Sequence, residues 1–277
     1  MASSFLEHVE RARRDRQSHL CVGLDPALPR QRTKQTIDEK YLDGADENEA
    51  RLRFCLDIVD ATKEFACAFK PNQQYLIGWT KKEHLRLTSA IRESGAVSIL
   101  DYKLGEIADS AESALFHIRE CGYDALTFNP LLGNLETAVK QARSGKPRLG
   151  LLVLTLTSNP EAVRFQKNST VSGKPLYMAI AEDISKFDAE GAVIGATSHV
   201  TEEEMKSIRD AIGPEKLILI PGIGAQMGEL NVARAAGQNV LVNISRDIIY
   251  SQDPRRIAKD YSAGIRSIIF GERADFI

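Results

Sequence analysis

Strand-like and helix-like segments alternate about eight times along this chain, and no Pro/Gly/Ser-rich linker interrupts the series. The strand-like segments are residues 20–24, 66–70, 97–103, 125–129, 150–158, 192–197, 217–221 and 240–245. Most are continuous apolar runs, the pattern of strands buried on both faces. Helix-like stretches lie between them, at 51–65, 81–94, 110–121, 135–144, 176–189, 202–211, 228–236 and 254–269. Eight β/α units in 277 residues predict an α/β protein that is one (β/α)8 TIM barrel over residues 1–277. A doubly wound open sheet would need a Gly-rich turn after its first strand, and Val22-Gly23-Leu24-Asp25-Pro26 is not one.

Two segments stand outside the alternation. Residues 28–50 are polar and strongly charged, and read as a surface excursion after the first strand, with room for a short helix. Near the start, Phe5, Leu6 and Val9 form one face of a short helix. Ser4 is its cap, with Glu7 three residues on as in a capping box. This charged start lacks the apolar core of a secretion signal. The longest apolar run, 149–156, suits a buried strand and is too short for a membrane span. A net charge of −2 with no basic stripe argues against nucleic acid as a partner. The four cysteines, Cys21, Cys55, Cys67 and Cys121, are scattered without a Cys-x-x-Cys pair. They read as ordinary thiols in a reducing compartment, which for this chain means the cytoplasm.

In a barrel of this kind the chemistry sits at the carboxyl ends of the strands. The first three strand ends carry Asp25, Lys70, and Asp101 with Lys103. Asp101 and Lys103 lie two apart, which on a strand puts both on one face. Such an acid–base array can stay fully charged, each group favouring its neighbours' ionised form; an ion pair that merely caps a strand is the alternative. The last two strands run into Pro221-Gly222-Ile223-Gly224-Ala225-Gln226 and Asn243-Ile244-Ser245-Arg246. Barrels commonly hold a phosphate there. Gly222 and Gly224 let backbone N–H groups approach an anion, Gln226 can donate, and Arg246 can fork onto phosphate oxygens. Of five histidines only His199 falls at a strand end, so a catalytic histidine is not expected. No His/carboxylate cluster has metal-ligand spacing, and a metal is not required. Ser158 and Ser245 lack a nucleophile's partners and read as binding hydroxyls or strand-end caps.

These residues resemble the orotidine 5′-monophosphate decarboxylase family, in its longer bacterial-type branch, over nearly the whole chain. The family pattern Asp-x-Lys-x-x-Asp-Ile-x-x-Thr is matched by Asp101-Tyr102-Lys103-Leu104-Gly105-Glu106-Ile107-Ala108-Asp109-Ser110. Supporting pieces are Gly23-Leu24-Asp25-Pro26, Phe69-Lys70-Pro71-Asn72, Thr157-Ser158-Asn159-Pro160, Gly195-Ala196-Thr197, the Pro221 to Gln226 turn, and Asn243-Ile244-Ser245-Arg246. The resemblance implies cofactor-free decarboxylation of orotidine 5′-monophosphate to UMP and CO₂ in pyrimidine synthesis. It implies that Asp101 faces the substrate carboxylate and Lys103 delivers a proton to C6. Lys70 would hold the charged network and contact the ribose, and Asp25 would bind a ribose hydroxyl. Ser158 would read the pyrimidine edge. Gln226 and Arg246 would grip the phosphate, with residues 221–228 closing as a lid. It implies a homodimer with shared active sites, completed by a partner's second aspartate.

The chain departs from the family at two places. The second aspartate is Glu106, one methylene longer, and a shift near 1 Å can cost about 10²-fold in rate. The motif's threonine is Ser110, which keeps the hydroxyl. Two rival readings remain at this level: a Mg²⁺-dependent sugar-phosphate decarboxylase or aldolase of the same barrel type, and a non-catalytic nucleotide-binding barrel. The sequence permits a whole protein or the decarboxylase part of a bifunctional synthase.

Overall fold

The computed structural model describes residues 4–197, 199–221 and 230–271, with the side chains of residues 230 and 231 excluded. Among the described residues, eight parallel strands close on themselves, each paired with its neighbours, and the last pairs with the first. They are β1 (Leu20–Leu24), β2 (Ala66–Pro71), β3 (Val97–Leu104), β4 (Ala125–Phe128), β5 (Gly150–Leu156), β6 (Gly191–Ile194), β7 (Leu217–Pro221) and β8 (Val240–Ile244). The helices are α1 (Phe5–Arg16), α2 (Glu47–Thr62), α3 (Lys81–Glu93), α4 (Ala108–Glu120), α5 (Leu135–Ser144), α6 (Leu176–Lys186), α7 (Glu202–Ile212), α8 (Leu230–Ala235), α9 (Arg246–Ile249) and α10 (Pro254–Phe270).

The apolar runs are explained by burial on both faces. On β7, Ile218 and Ile220 pack outward in the layer shared with the helices, while Leu217 and Leu219 face the barrel interior. The interior cluster also takes Cys21, Ala68, Ile99, Ala125, Leu152 and Leu241. Helix α1 closes the amino-terminal mouth of the barrel by inserting Phe5, Val9 and Ala12 into that cluster. Its start carries the expected capping box, with Ser4 Oγ accepting from Glu7 N and the Glu7 carboxylate accepting from Ser4 N.

Several boundaries differ from the sequence expectation. Helix α2 begins at Glu47 rather than 51, because the Asp46 carboxylate accepts the N–H groups of Asn48 and Glu49, both at 2.9 Å. The polar excursion therefore ends at Asp46; it holds one 3-10 turn, Glu39–Tyr41, and is pinned by buried Leu28 and Ile37. Strands β5 and β6 stop short of 158 and 197, where the chain turns polar. After β5 the chain forms a π-turn at Val163–Lys167 and a small antiparallel hairpin, Thr170–Val171 with Lys174–Pro175, which the apolar pattern did not signal. Among the described residues no helix is long and apolar enough to cross a membrane.

Candidate active site

The inward-facing positions change from apolar to polar toward the carboxyl end of the barrel. Two residues beyond the interior Ala68, Ile99, Ala125 and Leu241 come Lys70, Asp101, Thr127 and Asn243, as the period of two requires. On β1 the same step runs from Cys21 through Gly23 to Asp25. Gly23 is needed there: a Cβ at that position would lie 2.8 Å from Ser245 Cβ.

Asp101 is the centre of the array. Lys70 Nζ donates to its Oδ2 at 2.6 Å, and Lys103 Nζ donates to its Oδ1 at 2.7 Å. Thr127 Oγ1 adds a third hydrogen bond to Oδ1, at 3.0 Å. Lys70 is 5% exposed and Asp101 9%, so neither charge is sustained by bulk water. Burial disfavours the Asp101 carboxylate, but Lys70 and Lys103 overcome it and hold the carboxyl well below the usual range. Burial likewise opposes the Lys70 ammonium, and Asp101 with Asp25 more than offsets it, leaving the group above the ordinary lysine value. At neutral pH the buried pair is ionised.

Lys103 reaches Asp101 by a different route from the simple pleat. Its φ is +55°, a left-handed conformation that costs a non-glycine residue about 1–3 kcal/mol. The pairing of β3 with β4 shifts between Leu100 and Leu104, so the strand tip bulges. Thr127 Oγ1 holds the bulge by accepting Lys103 N at 2.8 Å. One hydroxyl thus fixes both the carboxylate and the backbone that carries the ammonium. The Lys103 side chain is 51% exposed and opens to the mouth of the barrel.

Asp25 forms the second half of the site. Its carboxylate accepts from Asn72 Nδ2 at 2.8 Å and from Ser245 Oγ in a short hydrogen bond. Tyr250 Oη donates to the Asp25 carbonyl at 2.7 Å and accepts Ala27 N at 2.8 Å, tying the end of β1 to the segment after α9. Sequence reasoning assigned no role to Thr127, Asn72 or Tyr250, and left Ser245 as a cap or binding hydroxyl. The signal for Thr127 was present, as the polar residue two places beyond an inward alanine on β4.

The other sequence candidates lie around this core. Ser158 follows β5 and is half-buried against β6, where the absence of a side chain at Gly195 is required: a Cβ there would meet Ser158 N and Cα at 2.6 Å. Arg246 opens α9 and is exposed. Glu106 and Ser110 are exposed in and just after the β3–α4 loop. The Glu106 carbonyl accepts Asn134 Nδ2 at 2.8 Å, while its carboxylate makes no hydrogen bond or ion pair among the described residues. Gly222, Gly224 and Gln226 lie outside the described residues.

An acid between two ammonium groups, at the carboxyl mouth of a closed barrel, can oppose a ligand carboxylate and present a proton beside it. Comparison with known proteins places the chain in a family. A protein named orotidine 5′-phosphate decarboxylase from Roseiflexus castenholzii is 36% identical over 265 residues, covering 90% of this chain and 89% of that protein. One of the same name from Bordetella pertussis is 34% identical, covering 96% and 98%. The solved OMP decarboxylase of Leishmania donovani superposes with a TM-score of 0.78 at 26% identity, over 97% of this chain and 99% of that one. The profile of the orotidine 5′-phosphate decarboxylase / HUMPS family matches residues 18–261, and the chain belongs to that family.

Proposed function

We propose that this chain decarboxylates orotidine 5′-monophosphate to UMP and CO₂ without a cofactor. The observation that carries the reading is the Lys70–Asp101–Lys103 array, buried on one side and open at Lys103, in a chain of this family. In the reaction the bond from C6 to the carboxylate breaks, CO₂ leaves, and the electron pair stays on C6. Lys103 Nζ, the exposed ammonium, stabilises that developing charge and then transfers its proton to C6. Asp101 cannot protonate near neutral pH, so it opposes the substrate carboxylate until CO₂ departs. Lys70 keeps Asp101 ionised from the buried side. Asp25, held by Asn72 and Ser245, would offer its carboxylate to a ribose hydroxyl, and Ser158 would meet the pyrimidine edge. Arg246 and Gln226, with backbone N–H groups at Gly222 and Gly224, would take the phosphate. Binding that remote group drives positioning at C6.

The same reading makes the protein a homodimer with shared sites. Ile107, Leu131 and Leu132 are 55%, 62% and 55% exposed around the β3–α4 and β4–α5 loops. Apolar exposure on two loops that the Asn134–Glu106 hydrogen bond joins suits a protein interface. Glu106 and Ser110 sit beside it, free to reach a partner's site. The unpaired thiols suit the cytoplasm. A Mg²⁺-dependent sugar-phosphate chemistry fits less well, because both Asp101 oxygens already hold ammonium groups and the β2 position is Lys70.

The test is turnover of orotidine 5′-monophosphate by purified protein in EDTA, followed by loss of its ultraviolet absorbance. Turnover in EDTA that Lys103→Ala abolishes, with UMP binding largely kept, is the expected result. Normal turnover by Lys103→Ala removes the assigned proton donor. Activity that appears only with added Mg²⁺ overturns the cofactor-free reading. UMP binding without turnover in the unmodified chain leaves a binding barrel in its place.

A further inference from the structure

At the opposite, amino-terminal mouth of the barrel, α1 and the end of α10 flank an open cavity of about 470 Å³. That is within the size range of small-molecule sites. Its lining carries three guanidinium groups, from Arg13, Arg14 and Arg266, against one carboxylate, Glu10. This local excess of positive charge is the reverse of the chain's overall charge of −2.

Among the described residues, two lining groups carry buried nitrogens with no hydrogen bond of normal geometry. Arg13 Nη1 donates to Asn239 Oδ1 at 2.7 Å, but its Nε is buried with no hydrogen bond among the described residues. His19, immediately before β1, is only 4% exposed, and neither ring nitrogen makes a hydrogen bond of normal geometry. Phe270 meets the His19 ring edge-on, with centroids 5.6 Å apart, and forms an apolar wall. Unpaired buried donors are costly, so a group of this kind usually answers to something. An oxyanion supplies acceptors beyond those of Glu10 and Gln17 in this lining, and guanidinium forks match its geometry.

We propose that this cavity is a second, non-catalytic site, which binds a small phosphate-bearing anion through Arg13, Arg14 and Arg266 with His19 at its floor. His19 reports on occupancy. Burial, then Arg13, push its pKa down to about 4; the Gln238 carbonyl opposes them, and Arg266 adds a smaller downward push. An anion that offsets the two arginines must move it upward.

The experiment is titration of the full chain with inorganic pyrophosphate, read by calorimetry and by the His19 imidazole resonance, which His19→Gln identifies. Citrate is titrated in parallel. Arg14→Gln/Arg266→Gln is the site variant; Arg14 is exposed and Arg266 half-buried, and circular dichroism checks its fold. Arg246→Ala removes the phosphate-binding candidate at the other mouth. The proposal expects saturable pyrophosphate binding that raises the His19 pKa, weakens at least about tenfold in Arg14→Gln/Arg266→Gln, and persists in Arg246→Ala. It is overturned by absence of binding at millimolar pyrophosphate, by a His19 resonance that stays fixed at saturation, or by binding lost only in Arg246→Ala. Equal affinity for citrate overturns the phosphate assignment.

Discussion

Replacing Asp101 by asparagine tests whether the array holds a buried charge in balance. Lys70 Nζ lies 2.6 Å from Asp101 Oδ2, a gross attraction of roughly 6 kcal/mol at an effective dielectric of about 20. Desolvating both groups costs several kcal/mol, so the intact pair adds little net stability. Removing one partner is different, because the desolvation of the other is left uncompensated, at about 3–5 kcal/mol. Lys103 adds little to this sum, since its side chain is half exposed and can turn to water. Asp25 still faces Lys70 and keeps the cost toward the lower end. Asp101→Asn should therefore lose about 3 kcal/mol in urea unfolding at pH 7. The pH dependence identifies the cause. In the unmodified protein the folded pKa of Lys70 is raised, so its contribution is whole below the ordinary lysine value of about 10.4 and is lost only as pH rises through the folded value. In Asp101→Asn burial dominates and the folded pKa falls below the unfolded one. The unfolded state then binds more protons, and the variant gains stability as pH rises toward about 10. The gap between the two proteins should shrink by half or more between pH 7 and pH 10. A Lys70→Met/Asp101→Leu variant, which removes both charges, should recover most of the loss. A gap that is unchanged with pH, or smaller than about 1 kcal/mol throughout, would refute the stranded-charge argument.

Thr127→Val keeps the shape of β4 but removes the hydroxyl that holds Asp101 and the Lys103 backbone. Its kcat should fall by about 10–100-fold with KM little changed, and Thr127→Ser should recover most of it; a Val variant with full kcat would remove Thr127 as a positioning residue. Gly195→Ala places a Cβ 2.6 Å from the Ser158 backbone. Backbone must move, so about 1–3 kcal/mol of stability should be lost and KM should rise with it, as urea unfolding and initial rates would record. His19 and His84 are both held near pKa 4 by burial. Each binds its proton in the unfolded chain first, so stability should fall as pH drops from 6.5 toward 4, by roughly 2–3 kcal/mol per histidine at pH 4.5. His84→Phe should flatten that limb in an unfolding series, and an equally steep limb would assign it to other groups.

Much of the architecture was legible because burial on both faces leaves a distinctive trace. β1 reads Leu-Cys-Val-Gly-Leu, buried throughout, and so cannot be a surface strand. The polar residues that end such runs stood out for the same reason, which is why Asp25, Lys70, Asp101 and Lys103 could be marked. Thr127 was passed over because one threonine in a short strand is ordinary; only the inward period makes it a partner of Asp101. The start of α2 was misjudged because its first turn is polar and is specified by the Asp46 cap rather than by an apolar stripe. The hairpin after β5 is two short exposed strands without a hydrophobic face, so no periodicity announces it.

The sequence by itself determined the eightfold alternation, the apolar interior and the charged residues that stop each strand, since these follow from local pattern and from the cost of burying polar groups. The tertiary structure decided which of those charges meet. Closure of β8 onto β1 brings Ser245 to Asp25 across 220 positions, and the β2–β3 neighbours bring Lys70 to Asp101 across 31. It also decided how Lys103 turns toward Asp101, through a bulge with positive φ that Thr127 secures from the next strand. Such contacts depend on register and curvature around a closed sheet, which no stretch of neighbouring residues encodes.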